Sequence, residues 1–171
     1  AILPGLTFPK KMQWMGKECT FGRPVRWILA MLDDVVVPFA FAGLTASNQT
    51  RGHRVMGPGP FDVPHADDYA RVLAEQGKVI LSAADRKDAI RREGDRLAGE
   101  VGGRVEWSQS LLDQVANLVE SPRAMLGGFH EKFLELPAEV LLTSMETHQK
   151  SFGLRGADGK LLPYFLTAAN I

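Results

Sequence analysis

The sequence SFGLRGADGKLLPYFLTAANI, residues 151–171, contains two strand-like runs around the turn Gly-Ala-Asp-Gly at 156–159. Apolar runs joined by so short a glycine-containing turn are typical of a β-hairpin. Helix-like and strand-like segments precede the hairpin in an irregular order, without the regular alternation that predicts a parallel sheet. We therefore predict an α+β fold, with mixed helices and a mostly antiparallel sheet that ends in the C-terminal hairpin.

Helix signals occupy much of the chain before the hairpin. Pro137 is predicted to begin one helix, and Ser108 is placed to cap another whose leucines and valines face a core. Asp85 is the expected N-cap of a longer helix, and residues 66–76 predict a helix that ends at Gly77. Short strands are predicted at 78–84 and 104–107, and a turn at 127–128.

The first third of the chain is less regular. Residues 1–20 predict an irregular lead-in because proline and glycine interrupt any pattern. A proline at the start and apolar residues at helical spacing predict a helix over 24–34. Residues 35–43 predict a strand that Pro38 confines to a sheet edge or a bulge. Residues 44–65 are polar and rich in glycine, and loops of this length are commonly functional or mobile.

Length and charge bound the possible functions. The 171 residues, 45% of them hydrophobic, suffice for one well-buried core or at most two small ones, and we expect a single domain over 1–171. The 20 basic and 20 acidic side chains cancel, without the positive excess of many nucleic-acid-binding domains. Residues 1–60 nevertheless carry seven basic and three acidic side chains. A phosphate-facing surface should therefore draw mainly on the first third.

Cysteine usage and apolar runs bear on the location of the protein. Cys19 is the single cysteine, without an internal disulfide partner or the companions of a zinc site, which favours a reducing cytoplasmic setting. No apolar run approaches the ~18 residues of a membrane span, and the N-terminus lacks the charged and apolar regions of a signal peptide. The chain starts without Met, as an internal fragment of a longer protein would.

Several catalytic chemistries lack their motifs. The sequence contains no GxxxxGK[ST] loop, no GxSxG elbow, and no HExxH or CxxC pattern. Glu146 and His148 lie two residues apart near a helix end, so they do not share a helix face for proton transfer. We predict no catalytic and no metal-ligating residue in this chain.

The segment Asn-Gln-Thr-Arg-Gly-His-Arg (48–54) is the most site-like part of the sequence. Arg51 and Arg54 are suited to bidentate contact with phosphate oxygens, and His53 lies between them. Gly52 would let the backbone approach a ligand closely. The alternative is a solvated loop, or one whose arginines pair with carboxylates of the same domain.

Further basic residues lie outside this loop. In FGRPVRW (21–27), Arg26 and Trp27 are suited to contact a nucleotide by charge and stacking, although a tryptophan here more often packs into a core. Arg23 precedes them. Lys150 lies at the C-terminal end of a predicted helix, where its charge complements the helix dipole. The candidate nucleic-acid-binding residues are thus Lys10, Lys11, Arg23, Arg26, Arg51, His53, Arg54 and Lys150.

These segments carry a family resemblance. The series FPKKMQW, FGRPVRWILAML, NQTRGHRV, LLDQVANLVESP, GGFHEKFLELPAEVLLTSMETHQKSF and DGKLLPYFLTAANI resembles the β subunit of the heterotetrameric (α2β2) bacterial glycyl-tRNA synthetase. The most specific matches are TRGHR (50–54), FGRPVRW (21–27) and TSMETHQKSF (143–152). Residues 57–105 match only loosely. The resemblance also extends to the B3/B4-type module of the phenylalanyl-tRNA synthetase β chain, as an expectation about the fold.

The resemblance implies a role in translation. The chain would be an internal fragment of the β chain of a cytoplasmic glycine–tRNA ligase and would help to bind or position tRNA(Gly). ATP and Mg would serve the α subunit, which carries the activation chemistry, and this fragment would bind no cofactor. Its partners would be the α subunit, tRNA(Gly) and the remaining β domains.

Two other roles stay open. The fragment could serve as a scaffold between domains or subunits without touching tRNA. It could also be a hydrolytic editing module, although glycine synthetases exclude larger amino acids sterically, and the sequence offers no base–nucleophile pair.

Overall fold

A computed structural model describes residues 2–14 and 19–171 of the protein. Its internal contacts group the chain into two compact units, Ala1–Gly77 and Lys78–Ile171. The single domain that the sequence predicts over 1–171 stays a prediction. We refer to them as the N-terminal unit and the C-terminal unit.

Short antiparallel hairpins make up most of the N-terminal unit, which ends in helical turns. Because each strand has only two or three residues, the described part of this unit holds no extended sheet. The elements are a 3₁₀ turn Leu3–Gly5, the paired strands β1 Met12–Trp14 and β2 Cys19–Phe21, β3 Met31–Leu32 and β4 Val35–Val36, β5 Ala40–Phe41 and β6 Leu44–Thr45, β7 Gln49–Thr50 and β8 Phe61–Asp62, a 3₁₀ turn Ala66–Asp68 and helix α1 Tyr69–Glu75.

Three predictions for the N-terminal unit need correction. The helix predicted over 24–34 is wrong, because the chain instead runs into the β3–β4 hairpin, where Asp33 adopts a φ of 54°. The strand predicted over 35–43 is split into β4 and β5, with Pro38 in the gap. The lead-in 1–20 is not irregular throughout, since β1 and β2 pair within and just beyond it. The helix ending before Gly77 is confirmed by α1.

The C-terminal unit contains the longer helices and the larger sheet. Strands β9, β10, β11 and β12 form one antiparallel sheet in the order β10-β12-β11-β9. The predicted α+β class is therefore confirmed, as is the C-terminal hairpin of β11 and β12. The elements are α2 Ala83–Glu100, β9 Gly103–Val105, α3 Gln109–Leu118, β10 Pro122–Gly128, a 3₁₀ turn Glu131–Glu135, α4 Ala138–Thr143, a π-helical turn Ser144–His148, β11 Phe152–Gly156 and β12 Leu161–Asn170.

The core of the C-terminal unit lies where α2 and α3 pack on this sheet. Phe152, Leu154 and Leu166 of the sheet are completely buried, and Leu112 of α3 joins them. The Trp107 ring meets Phe152 edge to face with 4.7 Å between centroids. Apolar burial of this kind supplies most of the stabilising free energy of a small domain.

Helix capping in this unit departs from the prediction at one site. Ser108 caps α3 as predicted, accepting a hydrogen bond from the Leu111 amide. Helix α2 begins two residues before the predicted cap, because the Ser82 hydroxyl accepts from the Asp85 amide. Asp85 instead lies in the first turn, where a carboxylate interacts favourably with the helix dipole.

The strand predicted at 78–84 and the turn predicted at 127–128 are both wrong. Residues 78–82 form no strand, and Lys78 adopts a φ of 55° there. The turn predicted at 127–128 is wrong, because both glycines belong to β10. A Cβ on Gly127 would overlap the Phe165 ring opposite, coming within 2.8 Å of its Cε atoms. The glycine there serves packing across the strand pair.

None of the described helices combines the length and the apolar character needed to cross a membrane.

Candidate nucleic-acid interface

The loop that carries Arg51 and Arg54 is anchored by three glycines. A Cβ on Gly52 would overlap the backbone of Gly77 and lie 2.6 Å from the Gly57 carbonyl oxygen. The His53 amide donates to the Gly77 carbonyl at 2.7 Å. Gly52 was predicted to admit a ligand to the backbone. The structure corrects this, because the space beside Gly52 is filled by the unit's own backbone.

His53 has an internal role in the same loop. Its side chain is only 4% exposed. Its Nδ1 accepts hydrogen bonds from the Val55 and Met56 amides at 3.3 and 3.2 Å, which closes a turn around Arg54. The imidazole therefore holds the loop in shape and is not presented at the surface with the arginines on either side of it.

Arg51 and Arg54 themselves are exposed. Within the residues that the structure describes, neither forms a hydrogen bond or an ion pair. Arg71 of the same unit provides a contrast. Its guanidinium bonds to Asp68 at 2.8 Å and lies near Glu75, and these carboxylates raise the pKa of Arg71 above its ordinary value. The charges of Arg51 and Arg54 are thus open to an external anion, whereas that of Arg71 is compensated.

Lys10 and Arg23 line one open cleft of about 670 Å³. We call it the Phe8 cleft; its lining includes Phe8, Lys10, Phe21, Arg23, Pro24 and Val25. Both cations are exposed, and neither has a carboxylate partner among the described residues. The structure therefore brings together two candidates that are 13 positions apart in the sequence.

The aromatic rings of the Phe8 cleft are held by edge-to-face contacts. Phe8 and Phe21 have centroids 4.7 Å apart, and Phe21 meets Phe41 at 5.5 Å. A Cβ on Gly22 would lie 2.7 Å from the Phe8 ring, so the absence of a side chain there lets the ring lie close to the backbone. Aromatic rings and uncompensated cations that line the same cleft are typical of surfaces that bind a nucleotide by stacking and charge.

The other predicted residues of the N-terminal unit are also exposed. Lys11 lines a separate cavity of about 480 Å³ with Cys19 and Phe41. Arg26 has no ion-pair partner among the described residues. Trp27 is 40% exposed, so the alternative in which it packs into a core is wrong.

Lys150 belongs to the C-terminal unit, where most cations are engaged. Its ammonium donates to Gln114 Oε1 at 3.1 Å, and its backbone has a φ of 53°. Arg155 is paired with Glu106, with 2.7 Å between Nε and Oε2. Lys87 donates to Asp113 Oδ1 at 2.9 Å, and this hydrogen bond lowers the pKa of Asp113. Uncompensated positive charge is thus more characteristic of the N-terminal unit.

A cavity of about 380 Å³ lies in the C-terminal unit. Its described lining is aromatic, apolar and neutral polar, and it includes Phe129, Phe133, Phe165, Ser144, Gln149 and Ser151. Neither Glu146 nor His148 is part of that lining. An acid–base hydrolytic centre needs a titratable group within reach of the reacting atom, and this lining provides none.

Phe8 and Phe21 are not among the candidate residues predicted from the sequence. A signal was present, since Phe8 precedes Lys10 and Lys11 in FPKK, and Phe21 precedes Arg23 in FGR. Each aromatic lies two residues from a cation. What the sequence did not show is that the two segments converge.

Comparison with known proteins defines the family. The chain belongs to the glycyl-tRNA synthetase beta subunit family, whose model matches residues 1–171. It is 55% identical over 170 residues to a glycine–tRNA ligase beta subunit of Oleidesulfovibrio alaskensis and 45% identical over 170 residues to that of Moorella thermoacetica. It is also 43% identical over 169 residues to the corresponding subunit of Cronobacter sakazakii.

These matches cover 99% of this chain and 24% of each relative. The chain therefore spans about a quarter of the length of the curated relatives it matches. The family resemblance seen in the sequence is confirmed.

Proposed function

We propose that this chain supports the charging of tRNA(Gly) with glycine by helping to hold the tRNA, as part of a glycine–tRNA ligase β subunit. ATP-dependent activation of glycine would take place in the α subunit. The N-terminal unit contacts phosphates of the tRNA, chiefly through Arg51 and Arg54. The relatives reported above are all glycine–tRNA ligase beta subunits, which supports the ligase assignment.

A single observation carries the proposed tRNA contact. Lys10, Lys11, Arg23, Arg26, Arg51 and Arg54 are all exposed, and none has a carboxylate partner among the described residues. Exposed cations without partners retain their full interaction with an incoming polyanion. A tRNA backbone offers such an anion, and its binding releases counterions.

The test is the salt dependence of tRNA binding by the complete β chain assembled with its α partner. Each phosphate contact adds roughly 0.7–0.9 to the slope of log affinity against log salt. Hydrogen bonds to charged groups are worth about 1.5–3 kcal/mol each. The double variant Arg51→Ala/Arg54→Ala should therefore bind tRNA(Gly) at least about tenfold more weakly, with a slope shallower by 1 to 2 units.

Arg71→Ala is the matched control, because Arg71 lies in the same unit but its charge is already compensated. Its affinity and salt slope should stay close to those of the parent. An unchanged affinity and slope in the Arg51→Ala/Arg54→Ala variant would refute the proposed contact.

A second candidate role, contact with another polypeptide of the synthetase, is favoured by a different feature. Phe133, Leu134, Leu136 and Val140 of the C-terminal unit are all exposed within eight residues of sequence. Grouped apolar side chains at a surface are typical of protein interfaces. This role would be compatible with tRNA contact by the N-terminal unit.

The variant Leu136→Ser/Val140→Ser tests that role. It should weaken recovery of the α subunit with the β chain while the thermal unfolding midpoint stays unchanged. Leu118→Ser is the matched control, since Leu118 is 67% exposed on α3 and lies outside the group. Equal recovery of the α subunit by all three proteins would remove this candidate.

A further inference from the structure

We infer that the Phe8 cleft binds an unpaired nucleotide, with the base against the aromatic rings and the flanking phosphates near Lys10 and Arg23. This inference rests on the proposed function and narrows it to a kind of nucleic-acid segment. A double helix presents phosphates, but its bases are stacked on one another, so their faces cannot contact the aromatic rings of the cleft. A single-stranded segment presents both groups.

The shape of the cleft fits this ligand. At about 670 Å³ it falls within the roughly 300–1,000 Å³ of clefts that hold small ligands. Its lining is mostly apolar, with phenylalanine, proline and valine side chains beside the two cations Lys10 and Arg23. A base can leave water for such a lining while its phosphates contact the exposed Lys10 and Arg23 side chains.

Charge distinguishes this cleft from another apolar cavity of the same unit. This other cavity, of about 570 Å³, is called the Phe39 cavity. It is lined by Ile2, Leu3, Pro4, Phe39, Ala40 and Phe41, without a charged side chain. Phe39 is thus an exposed aromatic residue without a neighbouring cation in its cavity. An anionic aromatic ligand should select the Phe8 cleft and leave the Phe39 cavity empty.

The ring of Phe8 is the element most open to test. Phe21 is fixed between Phe8 and Phe41, so replacing it would disturb several contacts. Among the residues that the structure describes, Phe8 has one ring contact, with Phe21, and it borders the cleft. Phe8→Leu removes the stacking surface and keeps an apolar side chain of similar bulk. Phe8→Trp keeps and enlarges the stacking surface.

The experiment measures binding of an RNA octamer containing 2-aminopurine to the complete β chain assembled with its α partner. The octamer is used single-stranded and as a duplex with its complement. Stacking of one base on an aromatic side chain changes affinity by roughly 5- to 150-fold. Binding to the parent should quench the 2-aminopurine fluorescence, because the base stacks on the Phe8 ring. Phe8→Leu should weaken single-strand binding by at least about fivefold and remove this quenching. Phe8→Trp and the control Phe39→Leu should bind as the parent does.

The charges are tested separately. Lys10→Ala/Arg23→Ala should lower the salt slope of single-strand binding by about 1.4, at roughly 0.7 per phosphate. Phe8→Leu should leave that slope unchanged.

Four outcomes would overturn the inference. The first is an unaltered affinity of Phe8→Leu for the single strand, and the second is an equal loss of affinity for the single strand and the duplex in that variant. The third is a comparable loss of single-strand affinity in Phe8→Trp. The fourth is a Phe8→Leu variant that recovers less α subunit but binds RNA as the parent does. In each case the proposed function would still stand if Arg51→Ala/Arg54→Ala showed the loss of tRNA binding expected for it above. Circular dichroism of every variant excludes unfolding as the cause of a loss.

Discussion

Replacing Gly94 by alanine should destabilise the C-terminal unit, although glycine is a poor helix former. Alanine in the interior of a helix is favoured over glycine by about 1 kcal/mol. Gly94, however, lies on the buried face of α2. A Cβ there would be 2.5 Å from Leu166 Cδ2 and 3.0 Å from two atoms of the Trp107 ring. Carbon atoms prefer separations of about 3.5–4.0 Å, so these side chains must move.

Neither neighbour can move easily. Leu166 is completely buried, and the Trp107 ring is held by a hydrogen bond from Nε1 to Asp95 Oδ1 at 2.9 Å. Overpacking of a core usually costs about 1–3 kcal/mol, and the lack of free space places Gly94→Ala in the upper half of that range. After the gain in helix propensity, we expect a net loss of about 1–2 kcal/mol.

Urea unfolding followed by far-ultraviolet circular dichroism measures the effect. The matched control is Gly99→Ala in the same helix, because a Cβ there would meet no atom within 4 Å. It should stabilise the unit by up to about 1 kcal/mol. In Gly94→Ala/Leu166→Ala the added methyl group enters vacated space, so the double variant should lose less than the sum of the two single losses. Equal or greater stability of Gly94→Ala than of the parent would refute this account of the packing.

Three further effects are expected elsewhere. His53→Ala leaves two backbone amides of the loop without an acceptor and should cost about 1–3 kcal/mol in urea unfolding. Asn170 Oδ1 accepts from two amides at 2.8 and 2.9 Å, and Asn170→Ala should lower the unfolding free energy by about 0.5–1.5 kcal/mol. Lys87→Met should raise the pKa of Asp113, as followed by carboxyl NMR. Since Lys87 lowers that pKa in the folded state, the parent loses the associated stability as pH falls below about 4, and the variant should lose less.

The C-terminal unit was more predictable from sequence than the N-terminal unit because its signals are local. The helix capped by Ser108, the helix after Pro137 and the final hairpin were all anticipated, since each has a cap or a turn within a few residues. The turn wrongly assigned at 127–128 shows the limit of this reasoning. Gly127 must lack a side chain because a Cβ would overlap the Phe165 ring on the neighbouring strand. A contact between distant parts of the chain cannot be predicted from the local sequence.

The helix wrongly predicted over 24–34 has a similar explanation. Its apolar residues recur at helical spacing, but the chain reverses at Asp33 with a positive φ. Backbone conformations of this kind are uncommon outside glycine, so the sequence gives little warning of them. Tertiary contacts then outweigh a weak helical preference.

The candidate interface was partly predictable. The exposed arginines at 51 and 54 were identified because guanidinium groups beside a glycine are typical of phosphate contacts. The burial of His53 was not, since it depends on the turn that its ring closes. The Phe8 cleft was not predictable, because its two halves come from segments on either side of the paired strands β1 and β2.

The glycine contact beneath the Arg51–Arg54 loop has an evolutionary consequence. Gly52, Gly57 and Gly77 fix the path of the main chain through atoms that every amino acid shares. The outward side chains at 51 and 54 make no contribution to that path, so natural variation there can alter ligand preference at little cost to folding. Substitution of any of the three glycines, by contrast, should damage folding before it changes recognition.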